Sequence, residues 1–317
     1  MSIDQIKTVG VVGAGLMGHG IALVFAQAGY KVLLNDVSKA ILDNALLAIE
    51  ANLKKLTQYG LLSVSDAEKA ISRISPVLEL REVGRAVDFV VEAVTENVDI
   101  KRAIFSTLDD SAPSHTILAS NTSSIPIALL ASATKRPDKV VGTHFWNPPT
   151  LLQAVEIVKG ERTSDETIRL TKALLEKVGK KPVVVNKDVP GQIGIRILYA
   201  IIREATSLVE KGVATPEDID TVIKETLGTR FPVLGVFELV DLSGVNILYA
   251  VSQIVYKDLD NSVEPHSIVK QMVERNELGV KTGKGFYDWS KRSASEVMRI
   301  RDEYLVRVLR ERRASSR

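Results

Sequence analysis

The chain has 317 residues, 45% hydrophobic and 25% charged, enough apolar material for two packed domains without metals or disulfides to hold them. Its 41 basic and 39 acidic side chains leave a net charge of +2, too small to suggest a nucleic-acid partner. The absence of cysteine excludes disulfides, thiolate nucleophiles and cysteine-ligated zinc, and no metal site is expected.

The N-terminal Met1-Ser-Ile-Asp-Gln-Ile-Lys leads straight into a strand and lacks a signal-peptide layout. Thr8 to Val12 is a short apolar run ending in glycines, which predicts a buried strand. Helical spacing follows from Leu16 to Gln27 and closes at Gly29. A second strand, Lys31 to Leu34, ends at Asn35-Asp36, and helices are expected from Lys39 to about Tyr59 and from Asp66 to Ile74. Strands are then expected at Val87 to Val91, Ile117 to Ala119, Val140 to Thr143, Val155 to Val158 and Pro182 to Val185. This alternation predicts an α/β fold, a Rossmann-type doubly wound, mostly parallel sheet with helices on both faces.

The pattern changes at Asp188-Val-Pro-Gly191, beyond which it is almost wholly helical; Thr215 is an N-cap with Pro216 at the first helical position. The expected domains are residues 1–187 and an all-helical second domain, residues 188–317. No apolar run reaches membrane-spanning length, since Arg196 and Arg203 interrupt the most hydrophobic stretch, so a soluble cytoplasmic protein with no membrane partner is expected. From Lys291 to Arg317, nine Lys/Arg stand against four Asp/Glu, which reads as a solvated helix face. Within it Ile300, Tyr304, Val308 and Leu309 form a stripe expected to pack on the second domain or a dimer partner.

Gly13-Ala14-Gly15-Leu16-Met17-Gly18 is a G-x-G-x-x-G motif, weak alone but here preceded by a strand and followed by a helix. Gly13 suits the tight turn, Gly15 the approach of backbone to a pyrophosphate, and Gly18 close packing of helix on sheet. Asp36, ending the next strand, suits a ribose 2′-OH and repels a 2′-phosphate, which favours NAD over NADP, although Lys39 keeps NADP open. Residues 1–187 are thus expected to bind NAD.

Three polar segments fall at the ends of later strands: Ser120-Asn-Thr-Ser-Ser124, His144-Phe-Trp-Asn-Pro148 and Ala154-Val-Glu156. Alcohol oxidation needs a base for the hydroxyl proton, and a carboxylate on the second imidazole nitrogen fixes the tautomer of a histidine base. His144 and Glu156 lie on successive strands and meet if those strands are neighbours; a structural histidine and an exposed glutamate are the alternative.

With Val9-Gly-Val-Val-Gly-Ala-Gly-Leu-Met-Gly18, Val90-Val-Glu-Ala-Val94, Ser120-Asn-Thr-Ser-Ser124, His144-Phe-Trp-Asn-Pro148 and Lys281-Thr-Gly-Lys-Gly-Phe-Tyr287 in order, the chain resembles the 3-hydroxyacyl-CoA dehydrogenase family over residues 6–289. The resemblance implies oxidation of an L-3-hydroxyacyl-CoA with His144 as general base, Glu156 orienting it and Ser123 on the substrate oxygen. It also implies that Glu92, Asn97, Asn147 and Lys281 surround the nicotinamide half of the cofactor, and that the second domain closes over substrate and forms a homodimer.

Three departures bear on the substrate. The family has a substrate-holding asparagine where this chain has Ile195; Gln192, three positions earlier, is a candidate replacement if both share a helix face. A coenzyme A lysine of the family is missing near Gln58-Tyr59, with Lys54 and Lys55 one turn earlier as substitutes or as a solvated face. The C-terminal extension resembles relatives acting on free hydroxy acids, such as gulonate and carnitine dehydrogenases. The alternatives to acyl-CoA oxidation are therefore a free 3-hydroxy acid dehydrogenase and a non-catalytic NAD-binding protein.

Overall fold

In the computed structural model, which describes residues 2–315, eight strands form one sheet: β1 (Thr8–Val12), β2 (Lys31–Asn35), β3 (Ile74–Val77), β4 (Phe89–Glu92), β5 (Ile117–Ser120), β6 (Val140–Phe145), β7 (Ala154–Val158) and β8 (Lys181–Val185). Their order is β3-β2-β1-β4-β5-β6-β7-β8, the doubly wound arrangement expected. All neighbours are parallel except β6 and β7. Only residues 146–153 join those two strands, too short a connection for a parallel crossover, which needs a dozen residues or more. The chain turns from β1 outward to β2 and β3, then returns to the other side for β4. That reversal opens a crevice at the carboxyl ends of β1 and β4.

Helices α1 (Gly18–Gln27), α2 (Lys39–Gln58), α3 (Val64–Ile71), α4 (Leu80–Ala86), α5 (Val98–Ser111), α6 (Ile127–Ala131) and α7 (Asp165–Lys177) cover the sheet. Alternate strand residues face opposite sides, and the core divides accordingly. Val9, Val11, Phe89 and Val91 join Phe25, Ile49 and Leu174 in one buried cluster. Val12 and Val90 join Phe105, Leu108 and Leu130 in another.

The helix expected to reach Ile74 stops at Ile71, and Ile74 instead opens β3. Among the described residues this strand pairs only with β2. As an edge strand it accommodates Pro76, whose missing N–H would break a ladder in the sheet interior.

Two compact units are distinguished: the chain through Ile195 together with the segment from Ile300, and Arg196–Arg299. The division falls a few residues beyond the expected boundary at 187/188, because the turn before helix α8 (Gly194–Glu210) is tied to β7 by bonds from Ile193 N and Gly194 N to Glu156. The second unit holds Pro216–Val222, Val236–Ser243, Val245–Val255 and Ser267–Glu274 as α-helices. Among the described residues no single helix is long and apolar enough to cross a membrane.

The last helix, Ala294–Ser315, corrects the expected stripe. From Ile300 it belongs to the first unit, not to the second, and Val306 and Leu309 are buried in that unit's core. Ile300 and Tyr304 are exposed. The buried face runs Asp302, Val306, Leu309, and its first member pairs with Lys55 of α2 at 3.0 Å. A face that opens on a charged residue is invisible to a count of apolar positions.

Candidate active site

The turn after β1 is built for close approach. Gly13 sits at φ +95°, where a side chain is strained, and a Cβ there would lie 2.7 Å from the backbone of Ala93. A Cβ on Gly18 would lie 1.7 Å from the Gly13 carbonyl oxygen. At Gly15, in contrast, a Cβ would meet no protein atom within 4 Å, so the backbone is open to a phosphate at the N-terminus of α1. Ala14 is buried, while Leu16 is 69% exposed beside the turn. Asp36 stands at the end of β2 with its carboxylate accepting from Ala14 N and Val37 N, both at 2.8 Å. These features fit a dinucleotide.

Next to it, β4 ends in a carboxylate with no exposure. Glu92 pairs with Lys101 of α5 at 2.7 Å and accepts from Ser120 Oγ at 2.6 Å and Val94 N at 2.7 Å. Lys101 also reaches Glu96 at 3.2 Å. Glu96 in turn accepts from the Thr122 hydroxyl, from Ser124 Oγ at 2.8 Å and from Ser123 N at 3.2 Å. Burial pushes the Glu96 carboxyl up, but the Thr122 hydrogen bond and the Lys101 charge outweigh it and hold it below its usual range. Glu96 thereby fixes the loop that presents Ser123. Asn97 caps α5, accepting from Asp99 N at 3.0 Å and Ile100 N at 3.1 Å.

The antiparallel register sets His144 directly opposite Glu156. His144 Nδ1 and Glu156 Oε2 are 2.9 Å apart, and both residues are buried. The other oxygen, Oε1, accepts from Ile193 N at 2.8 Å and Gly194 N at 2.9 Å. Burial pushes the Glu156 carboxyl up, but the bond to His144 and the two backbone N–H groups prevail and lower it. An ionised carboxylate only accepts, so Nδ1 carries a proton, and it is the neutral form of this tautomer that offers a lone pair on Nε2.

A cavity of about 320 Å³ lies here. Its polar lining is Glu96, Lys101, Asn121, Ser123, His144 and Asn147; Met17, Trp146 and Ile195 are among its apolar members. Four loops at the carboxyl ends of β1, β4, β5 and β6 thus bring His144, Ser123 and Asn147 together as the motifs suggested. Buried Lys180, lowered to about 8 by burial, donates to the carbonyls of Pro149 and Leu152 and so fixes the segment after Asn147.

Glu96, Lys101 and Asn121 also line the cavity, while Glu92 and Asn97, expected around the nicotinamide half of the cofactor, stand as the partner of Lys101 and the cap of α5. The available signal was an acid closing the apolar run Phe-Val-Val-Glu92, since a buried carboxylate demands a nearby cation such as Lys101. Lys281 lies in an exposed turn of the second unit. Lys54 is exposed, and Lys55 is engaged by Asp302.

Gln192 does not share a helix face with Ile195. Its backbone is left-handed at φ +46° and α8 begins only at Gly194, so helical spacing does not apply. The side chain is buried, and among the described residues its amide oxygen has no partner. Gln192→Leu is therefore expected to raise stability by about 1 kcal/mol, read from the urea midpoint, with kinetic constants unchanged. A fall in kcat/KM would instead return Gln192 to the substrate.

Comparison with known proteins covers most of the chain. The model for the 3-hydroxyacyl-CoA dehydrogenase NAD binding domain matches residues 8–189, and that for the C-terminal domain of the same enzymes matches residues 191–289. A probable 3-hydroxybutyryl-CoA dehydrogenase of Bacillus subtilis (strain 168) is 39% identical over 291 residues, 92% of this chain and 100% of the relative. The crystal structure of (S)-3-hydroxybutyryl-CoA dehydrogenase from Ralstonia eutropha superposes with a TM-score of 0.76 at 37% identity, covering 90% of this chain and 99% of its own. That of 5-formyl-3-hydroxy-2-methylpyridine 4-carboxylic acid 5-dehydrogenase, an NAD+-dependent dismutase, reaches a TM-score of 0.90 at 32% identity, covering 96% and 98%.

Proposed function

The chain belongs to the 3-hydroxyacyl-CoA dehydrogenase family and is an NAD-dependent oxidoreductase, and from that premise we propose that it reversibly oxidises an L-3-hydroxyacyl-CoA to the 3-ketoacyl-CoA with His144 as general base. The observation that carries this reading is the His144–Glu156 pair on the cavity that also holds Ser123. The β1–α1 turn and Asp36 would hold NAD, which supplies the hydride acceptor when bound. Ser123 donates to the substrate oxygen and orients it toward His144. His144 Nε2 takes the hydroxyl proton, and Glu156 stabilises the imidazolium through Nδ1–H. In the reverse direction the same imidazolium returns the proton. Asn147 and Asn121 border the reacting centre as amide donors and acceptors.

A second reading, the same chemistry on a free hydroxy acid or alcohol, is favoured by Ile195 in the cavity lining and by the pairing of Lys55 with Asp302, which occupies one of the two cations offered for coenzyme A. It is supported by the TM-score of 0.90 to a 5-formyl-3-hydroxy-2-methylpyridine 4-carboxylic acid 5-dehydrogenase, against 0.76 for the 3-hydroxybutyryl-CoA dehydrogenase, although the identity is lower, 32% against 37%. In either case a homodimer is expected, since Phe237, Leu242 and Ile254 of the second unit are each more than 70% exposed and such apolar area favours a second copy.

The deciding measurement is NADH consumption with acetoacetyl-CoA and free acetoacetate in parallel, with His144→Ala as control. Turnover of the thioester alone, lost in the variant, is the expected result. Turnover of the free acid alone gives the second reading. Undiminished turnover by the variant would remove His144 from the mechanism.

A further inference from the structure

The cavity lining contains two chemically unlike sets beside the same imidazole. Ser123, Asn121 and His144 present hydrogen-bonding atoms, whereas Trp146 and Ile195 present aromatic and aliphatic surface. Trp146 follows His144 by two positions at the end of β6, and its indole meets the imidazole edge to face, centroids 5.1 Å apart at 63°. The indole can lie there because residue 194 has no side chain: a Cβ on Gly194 would stand 2.3 Å from Trp146 Cζ2. Gly194 also donates its N–H to Glu156. One backbone turn therefore seats the indole and clasps the carboxylate that orients His144. Ile195, the next residue, adds a branched hydrocarbon with no donor or acceptor.

We propose that Trp146 and Ile195 determine specificity by seating the flat ring of an aromatic or heteroaromatic alcohol or aldehyde beside His144. This rests on the second reading above, His144-dependent oxidation of an alcohol that is not an acyl-CoA, and names the substrate class for it. Ring–ring contact in offset or edge-to-face geometry adds affinity beyond buried area, and a β-branched side chain holds its rotamer stiffly. A thioester carbonyl set against Ile195 would leave water without gaining a hydrogen bond, which disfavours it. In the reaction on a ring-borne alcohol, the carbinol C–H passes to NAD+ as hydride, the O–H proton passes to His144, and the C=O bond of the aldehyde forms.

The test uses 4-(hydroxymethyl)benzoate as ring probe and acetoacetyl-CoA as thioester probe. The chain has two tryptophans, so in a Trp289→Phe background Trp146 is the sole tryptophan, and quenching of its emission under tryptophan-selective excitation reports ring binding without turnover. The ring probe is expected to quench it. Trp146→Leu is expected to lower kcat/KM for the ring probe about tenfold more than for the thioester probe, mainly through KM. Ile195→Asn is expected to shift the thioester-to-ring ratio about tenfold toward the thioester. Absence of quenching, or an unmoved ratio in both variants while His144→Ala still abolishes turnover, overturns the proposal. Turnover that survives His144→Ala instead defeats the dehydrogenase mechanism, and the quenching result stands apart from it.

Discussion

Glu156→Gln is expected to lower kcat for oxidation by about 10²- to 10⁴-fold, as much as loss of the base itself. The cause is forced geometry. Two backbone N–H groups, from Ile193 and Gly194, point at one carboxyl oxygen, and His144 Nδ1 lies 2.9 Å from the other. A glutamine must turn its carbonyl toward the backbone donors and its NH2 toward His144. Nδ1 then becomes an acceptor, the proton moves to Nε2, and the imidazole loses the lone pair that would take the substrate proton. NADH affinity, measured by fluorescence titration, is expected to be unchanged because the β1–α1 turn is untouched. His144→Gln is expected to give the same kcat loss. A Glu156→Gln variant with kcat within about tenfold of the parent would show that the carboxylate does not set the tautomer.

Lys101→Met is expected to cost about 3–5 kcal/mol of stability, the range for removing one partner of a buried ion pair. Lys101 is 1% exposed and stands between Glu92, which has no exposure, and Glu96. Without the cation, Glu92 keeps only Ser120 Oγ and Val94 N as donors, and Glu96 loses a charge that helps keep it ionised. The loss is read as a lower urea midpoint. The double variant Lys101→Met/Glu92→Gln, which removes the stranded charge, is expected to recover part of it. Because Glu96 fixes the loop of Ser123, activity should also fall in the single variant. A cost below about 1 kcal/mol, the scale of an exposed pair, would mean that water reaches Glu92.

The residues missed near the cavity have a common character. In Thr-Glu96-Asn97-Val-Asp-Ile-Lys101 the charges look like an ordinary polar helix start, and nothing local marks Glu96 as a cavity residue. Lys101 meets Glu92 only because α5 folds back beside the end of β4. The misplacement of Gln192 arose likewise, since an i, i+3 argument assumes a helix that here begins two residues later. Strand β3 escaped notice because four residues containing a proline carry almost no periodic signal, and the edge of a sheet requires little.

The sequence by itself determined the doubly wound sheet, the dinucleotide turn and the polar strand ends, because each depends on local spacing: apolar runs, glycines after a strand, an acid closing the next. It also supplied His144 and Glu156 as candidates, and the short link between their strands carried an unread sign of antiparallel pairing. Only the tertiary structure decided that the two residues stand opposite one another, that Gly194 both clasps Glu156 and seats Trp146, and that the last helix packs with the first unit through Asp302, Val306 and Leu309. Those contacts join segments far apart in the chain, and their partners are selected by packing and by the need to satisfy buried polar groups, which local periodicity does not encode.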